Sequence, residues 1–213
     1  MLLVLTCFLC ATVAGLAAWA LNGYMLSIAE SDARILRSHL QVPVAAVLGG
    51  LAGLAGSWAE SLAFVVLAIA SGLLTVIDLA EERLPDAIVL PLIPITVVLL
   101  TLAAAVTGEW WSLLRAVEAG AGLFAFVFVM MIFAPDLGFG DVKLAAITGA
   151  FCGWFGWGAV LLGFSAAWIT FAALGVVLLA TRKRHARGSF AFGPFLILGA
   201  VLGVFWAGCV LPW

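Results

Sequence analysis

Polar residues are so sparse along this chain that they act as punctuation between long apolar runs. The runs fall at about 1–26, 43–57, 59–78, 87–106, 114–134, 142–154, 157–180 and 190–211. Most approach the roughly 20 residues that a helix needs to cross the hydrocarbon core of a bilayer. The second and sixth are shorter, which fits helices that are tilted, re-entrant or buried by neighbours. The pattern predicts an all-α protein, a polytopic integral membrane helical bundle of about eight spans with two short ones. Gly49, Gly50, Gly53 and Gly56 cluster at spacings that let membrane helices approach closely, and they read as packing residues.

Composition closes off other classes. Of the 213 residues, 66% are hydrophobic and 9% charged, and mean hydropathy is +1.30. A soluble domain carries about 25% charged residues, so this chain cannot coat a water-soluble globule. Disorder requires low hydrophobicity and is excluded too. Eight spans would use about 160 residues, which leaves short loops and one membrane-embedded domain over 1–213. Within it, 1–41 reads as a first span plus a short loop and 42–213 as the core. The N-terminal run has no Lys or Arg before Arg34. It is also too long for the apolar region of a cleaved signal peptide, so it reads as a span. Cys7, Cys10, Cys152 and Cys209 lie in apolar surroundings with no histidine cluster beside them, and they read as packing residues rather than a metal site.

Basic residues set an expected orientation. Arg34 and Arg37 follow the first span, Arg83 the third, Lys143 the fifth, and Arg182, Lys183, Arg184 and Arg187 the seventh. Eight of nine thus share one side, and only Arg115 lies on the other. Because Lys and Arg favour the cytoplasmic side, the odd loops are expected there and both termini outside. The run Arg182–Arg187 reads as a topology anchor, and no nucleic-acid partner is expected.

Two acids stand apart from those in loops. Asp78 ends the run ASGLLTVIDL, and Asp141 opens an apolar run within DLGFGDVKLAAITGA. Both fall at the expected cytoplasmic ends of spans. A pair of carboxyl groups that share a proton can activate water and protonate a leaving amine. Gly138 and Gly140 beside Asp141 would allow close backbone approach and unusual dihedrals. Asp141 also suits a helix N-cap, as does Asp86 after Leu84-Pro85. Asp78 is expected at a helix C-terminus and Asp141 at an N-terminus, so the helix dipoles favour the shared proton on Asp78. Asp136 reads as a loop residue. Glu60, Glu109 and Glu118 fall on the outer side. GFGDVK lacks the third glycine and the strand context of a dinucleotide site, and Lys143 reads as an ion-pair partner, a phosphate contact or an interface marker. The alternative reading is a proton-coupled or ion transporter using membrane-interface acids. Against it, transporters tend to hold such acids near the midplane on interrupted helices.

The strings IDLAEERLPD (77–86), GFGDVKLAAITGAFCGW (138–154) and FGPFLILGA (192–200) closely resemble those of type IV prepilin peptidases, bacterial polytopic aspartic peptidases of the G-x-G-D class. The resemblance covers about residues 42–213. It implies Asp78 and Asp141 as the catalytic pair. It also implies cleavage of the N-terminal leader of a type IV prepilin or pseudopilin at the cytoplasmic face of the bacterial plasma membrane, after a glycine and before an apolar stem. Proteolysis would need no metal or cofactor. Many members also N-methylate the new N-terminus with S-adenosylmethionine. Larger members carry a cytoplasmic region after the first span, often with paired cysteines. Here that segment is SIAESDARILRSHLQ (27–41), without cysteine, so S-adenosylmethionine enters only if a reduced site serves methylation. Gly138, Gly140, Lys143, Glu81, Glu82, Asp86 and Pro194 form the supporting or substrate-binding set, with Glu81 and Glu82 expected to attract a basic leader.

Overall fold

The computed structural model describes residues 1–31, 33–133, 138–180 and 191–210, without the side chains of 178, 179 and 208–210. Asp32, Asp136, the basic run 182–187 and the Cys209 side chain lie outside the described residues. Every regular element among the described residues is helical. They are α1 (Leu2–Ala20), α2 (Asn22–Ile28), a 3-10 turn (Arg34–Arg37), α3 (Gln41–Ala52), α4 (Trp58–Glu81), α5 (Asp86–Thr107), α6 (Trp110–Phe133), α7 (Phe139–Phe155), α8 (Trp157–Ala180) and α9 (Gly193–Val210). Five of them, α1, α4, α5, α6 and α8, are long and apolar enough to cross a membrane. The chain forms two compact units, residues 1–110 and 111–213.

In the first unit α1, α3 and α4 run up, down and up. Thr6 Oγ1 donates to Gly53 O at 3.2 Å, which joins the start of α1 to the end of α3. At the opposite end, residues 30 and 31 meet the end of α4 through Glu81. The first expected span is broken: Leu21 separates α1 from α2. At 12 residues, α3 rises only about 18 Å, and Gln41 at its start lies level with Gly72, well inside α4. The intervening segment therefore dips inward, burying Met25 and Leu36. Gln41 is fully buried there and donates from Nε2 to Asn22 Oδ1 at 2.8 Å.

Local chemistry explains the helix ends. Ser57 accepts the Glu60 N–H at 3.2 Å, a side-chain N-cap for α4. Gly108, in the left-handed conformation at φ 80°, ends α5 with its N–H on Ala104 O, where a residue with a Cβ would be strained. Pro194 sits in the first turn of α9, where a missing N–H is harmless.

Close crossings fall at glycines four residues apart. A Cβ on Gly49 would lie 2.8 Å from Cys10 O, and one on Gly53 2.5 Å from the Cys7 Cα. Those two of the four expected packing glycines hold α3 against α1. Gly50 and Gly56 have ordinary clearance. Gly149 and Gly153 bring α7 against α6, and Gly199 and Gly203 bring α9 against α8. Cys7, Cys10 and Cys152 are free thiols, the last two buried.

Candidate active site

Asp78 lies in the last turn of α4, the helix most deeply buried in its unit. It is 2% exposed and is the one buried acid among the described residues. A carboxyl at that depth must be protonated or held by partners. Its carbonyl accepts the N–H of Glu82 at 2.8 Å. Glu82 itself adopts a left-handed conformation, φ 53°, that terminates the helix. The turn that follows holds Leu84 and Pro85, both buried, and leads straight into α5.

Asp86 is the first residue of α5, and Pro85 holds the N-cap position without a side-chain cap. The expected cap is thus displaced by one residue: the Pro85 carbonyl accepts from Ile88 and Val89, so the helix begins at the proline. The Asp86 charge still lies in the favoured first turn.

Asp141 lies one turn into α7. Gly138 holds the N-cap position, so Asp141 is the third helical residue and not the cap itself. The two residues bond reciprocally. The Asp141 N–H donates to Gly138 O at 3.1 Å, and the Gly138 N–H donates to Asp141 Oδ2 at 3.2 Å. Burial pushes the Asp141 carboxyl pKa up to about 6, and this second bond only partly offsets that by favouring the ionised form. The other oxygen, Oδ1, is buried and has no hydrogen-bond partner. Gly138 has φ −75° and ψ 148°, an ordinary extended conformation, and Gly140 is helical. Neither uses the unusual dihedrals expected of it. A Cβ on Gly138 would stand 3.4 Å from Asp141 Oδ2, an ordinary contact.

Lys143 is 7% exposed, with its Nζ 4.5 Å from the Phe139 ring centroid, a cation–π placement. Glu81 Oε1 accepts two backbone N–H groups. Glu82 and Asp86 are exposed. Pro194 follows Phe192, which is buried among Trp168, Phe171 and α9. Asp78, Glu81, Glu82 and Asp86 belong to the first unit, and Gly138, Gly140, Asp141, Lys143 and Pro194 to the second. Among the described residues no group of three or more His, Cys, Asp or Glu could hold a metal ion.

Sequence reasoning missed Arg115. Its Nε donates to Gly153 O at 2.7 Å and its Nη2 to Trp154 O at 2.8 Å. A cation on the last carbonyls of a helix is favoured by the helix dipole. The one basic residue assigned to the outer side therefore caps the far end of the helix that opens with Asp141. Its lone position against the charge bias was the available signal.

Five helices long and apolar enough to cross a bilayer, with no strand among the described residues, define a polytopic α-helical membrane protein. Comparison with known proteins gives the family. Residues 65–210 match the model of the type IV leader peptidase family, and the chain belongs to it. It is 32% identical over 146 residues to a prepilin leader peptidase/N-methyltransferase of Legionella pneumophila, covering 66% of this chain and 48% of that protein. The protein of the same name from Escherichia coli (strain K12) is 33% identical over 140 residues, 62% of this chain and 57% of that one. The one from Aeromonas hydrophila is 29% identical over 195 residues, 84% of this chain and 59% of that one. The chain thus spans about half the length of these relatives. No solved structure matches it.

Proposed function

We propose that the chain is an aspartic endopeptidase that removes the N-terminal leader from type IV prepilins or pilin-like proteins at the cytoplasmic face of the bacterial plasma membrane. The observation that carries this reading is the exceptional state of two acids inside the family-matched stretch 65–210. Asp78 is the one buried acid among the described residues. Asp141 has the one carboxylate oxygen among them that is buried without a partner. One aspartate, ionised, takes a proton from water as the water oxygen attacks the scissile carbonyl carbon. The other, protonated, donates to the carbonyl oxygen. Collapse of the tetrahedral intermediate breaks the C–N bond, and the departing amine takes up the proton. The reading requires the two carboxyl groups to meet across the scissile bond.

The basic residues support the cytoplasmic placement. Arg34 and Arg37 lie on the segment that meets the α4 terminus bearing Asp78 and Arg83. The relatives' names also carry N-methyltransferase. In this chain, part of segment 27–41 is engaged internally: Glu30 pairs with Arg83 and its N–H with Glu81. We therefore assign proteolysis as the core activity.

Co-expression with candidate prepilins, followed by intact-mass analysis of the pilin, tests the assignment. Leader loss in the wild type and none in Asp78→Ala or Asp141→Ala is expected, and the same mass reports any added methyl group. An intact prepilin together with proton flux in liposomes would return the transporter reading.

A further inference from the structure

Residues 22–31 grip the turn that carries Leu84, Pro85 and Asp86 from both sides. On the α4 side, Glu81 Oε1 accepts the backbone N–H of Glu30 at 2.7 Å and of Ser31 at 2.8 Å. The Glu30 side chain returns the contact as an ion pair with Arg83. On the α5 side, the Tyr24 hydroxyl donates to Ala87 O over a long 3.4 Å. The regular helical donor to that carbonyl would be the N–H of residue 91, which is proline and has none to give. Between the two grips lies Glu82, whose N–H bonds to Asp78 O. The backbone of Asp78 is thus one hydrogen bond away from a turn that the loop holds in place.

We infer that Glu81 is a positioning residue for Asp78. Its carboxylate pins the loop after α2 onto the end of α4, and the Glu30–Arg83 pair and Tyr24 complete a clamp that fixes the height and rotation of the last turn. The Asp78 carboxyl is thereby held where the reaction needs it. The inference rests on the peptidase reading and deepens it. The expectation that Glu81 attracts a basic leader makes the opposite demand: attraction depends on the charge, whereas a clamp depends on the acceptor oxygen. Glutamine keeps an acceptor and discards the charge.

The test compares the wild type with Glu81→Gln, Glu81→Ala, Glu30→Arg, Arg83→Glu and the Glu30→Arg/Arg83→Glu double variant, purified in nanodiscs, on a prepilin substrate. Glu81→Ala is expected to lower kcat about threefold to tenfold, the effect of losing two hydrogen bonds. KM should stay within about twofold. Glu81→Gln should recover most of the loss, and the double variant should exceed either single charge reversal. If Glu81→Gln is as impaired as Glu81→Ala, or if the change lies in KM and fades at high salt, the clamp is overturned in favour of leader attraction.

Hydrogen–deuterium exchange supplies a readout independent of activity. The amides of Glu30 and Ser31 should exchange faster in Glu81→Ala than in wild type, and at the wild-type rate in Glu81→Gln. Faster exchange in Glu81→Ala with no cleavage by the wild type sinks the peptidase reading and leaves the clamp standing. Unchanged exchange in Glu81→Ala with cleavage intact sinks the clamp alone.

Discussion

Arg115 reaches from the start of α6 to the last turn of α7 and donates to the Trp154 carbonyl at 2.8 Å. With its bond to Gly153 O at 2.7 Å, this side chain satisfies two carbonyls that the helix end leaves without donors. The other end of α7 carries Asp141. Arg115→Ala should destabilise the protein by about 1–3 kcal/mol, the range for losing charged hydrogen bonds to buried acceptors. Thermal unfolding in detergent would show it. Arg115→Lys should recover only part, because an ammonium lacks the planar fork that reaches both carbonyls.

The crossing of α6 and α7 depends on a missing side chain. A Cβ on Gly153 would stand 2.7 Å from the Ala119 Cβ and 2.8 Å from Arg115 O. Gly153→Ala should therefore cost about 1–3 kcal/mol through overpacking and lower turnover by shifting α7. Gly175 has nothing within 4 Å of its Cβ position, so Gly175→Ala should unfold at or above the wild-type temperature. Equal effects at the two positions would contradict the crossing described here.

Glu82 holds a left-handed conformation, φ 53°, with an exposed side chain. Such a conformation costs a residue with a Cβ about 1–2 kcal/mol and glycine almost nothing. Glu82→Gly should raise stability by about 1 kcal/mol while leaving the Asp78–Glu82 backbone bond in place. Turnover of a basic prepilin should stay unchanged if Glu82 serves only to end the helix. A rise in KM that disappears at high salt would show instead that its charge meets the leader.

The proposed sharing of a proton between Asp78 and Asp141 carries a bias set by the helix ends. Asp78 is buried at a C-terminus, where the dipole disfavours a charge, and Asp141 is near an N-terminus with Gly138 N–H on its carboxylate. Asparagine copies a neutral acid. At neutral pH, Asp78→Asn should therefore keep more residual turnover than Asp141→Asn, measured over a long single-turnover time course. The reverse order would contradict the assignment.

Much of the fold was legible because hydropathy reports length and burial directly. The runs at 59–78, 87–106 and 114–134 became α4, α5 and α6 with ends shifted by only a few residues. What hydropathy could not report was where an apolar run bends or stops short. Asn22 and Gly23 were the only polar or flexible residues marking the break after Leu21, and the inward dip before Gln41 depends on tertiary packing. The two aspartates could be singled out as acids at span ends. The exact places of Asp141 and Asp86 within their helices could not, because Gly138 and Pro85 take the cap positions that aspartate usually fills. Glu81, Tyr24 and Arg115 were invisible as partners: their acceptors and donors are backbone atoms tens of residues away, and backbone atoms leave no trace in residue type. The pairs Gly149/Gly153 and Gly199/Gly203 were present in the sequence, but the denser cluster at 49–56 drew the packing inference.

The central claim is that Asp78 and Asp141 together hydrolyse a peptide bond. Its most direct test is cleavage of a synthetic prepilin peptide by the purified chain alone in nanodiscs, with Asp78→Asn and Asp141→Asn made singly and together. Leader release by the wild type is expected to fall by at least about a thousandfold in each single variant, with the double variant no worse than the poorer single one, as for groups that act as a unit. Wild-type rates in either single variant, or no cleavage by the wild type of any prepilin offered, would contradict the account.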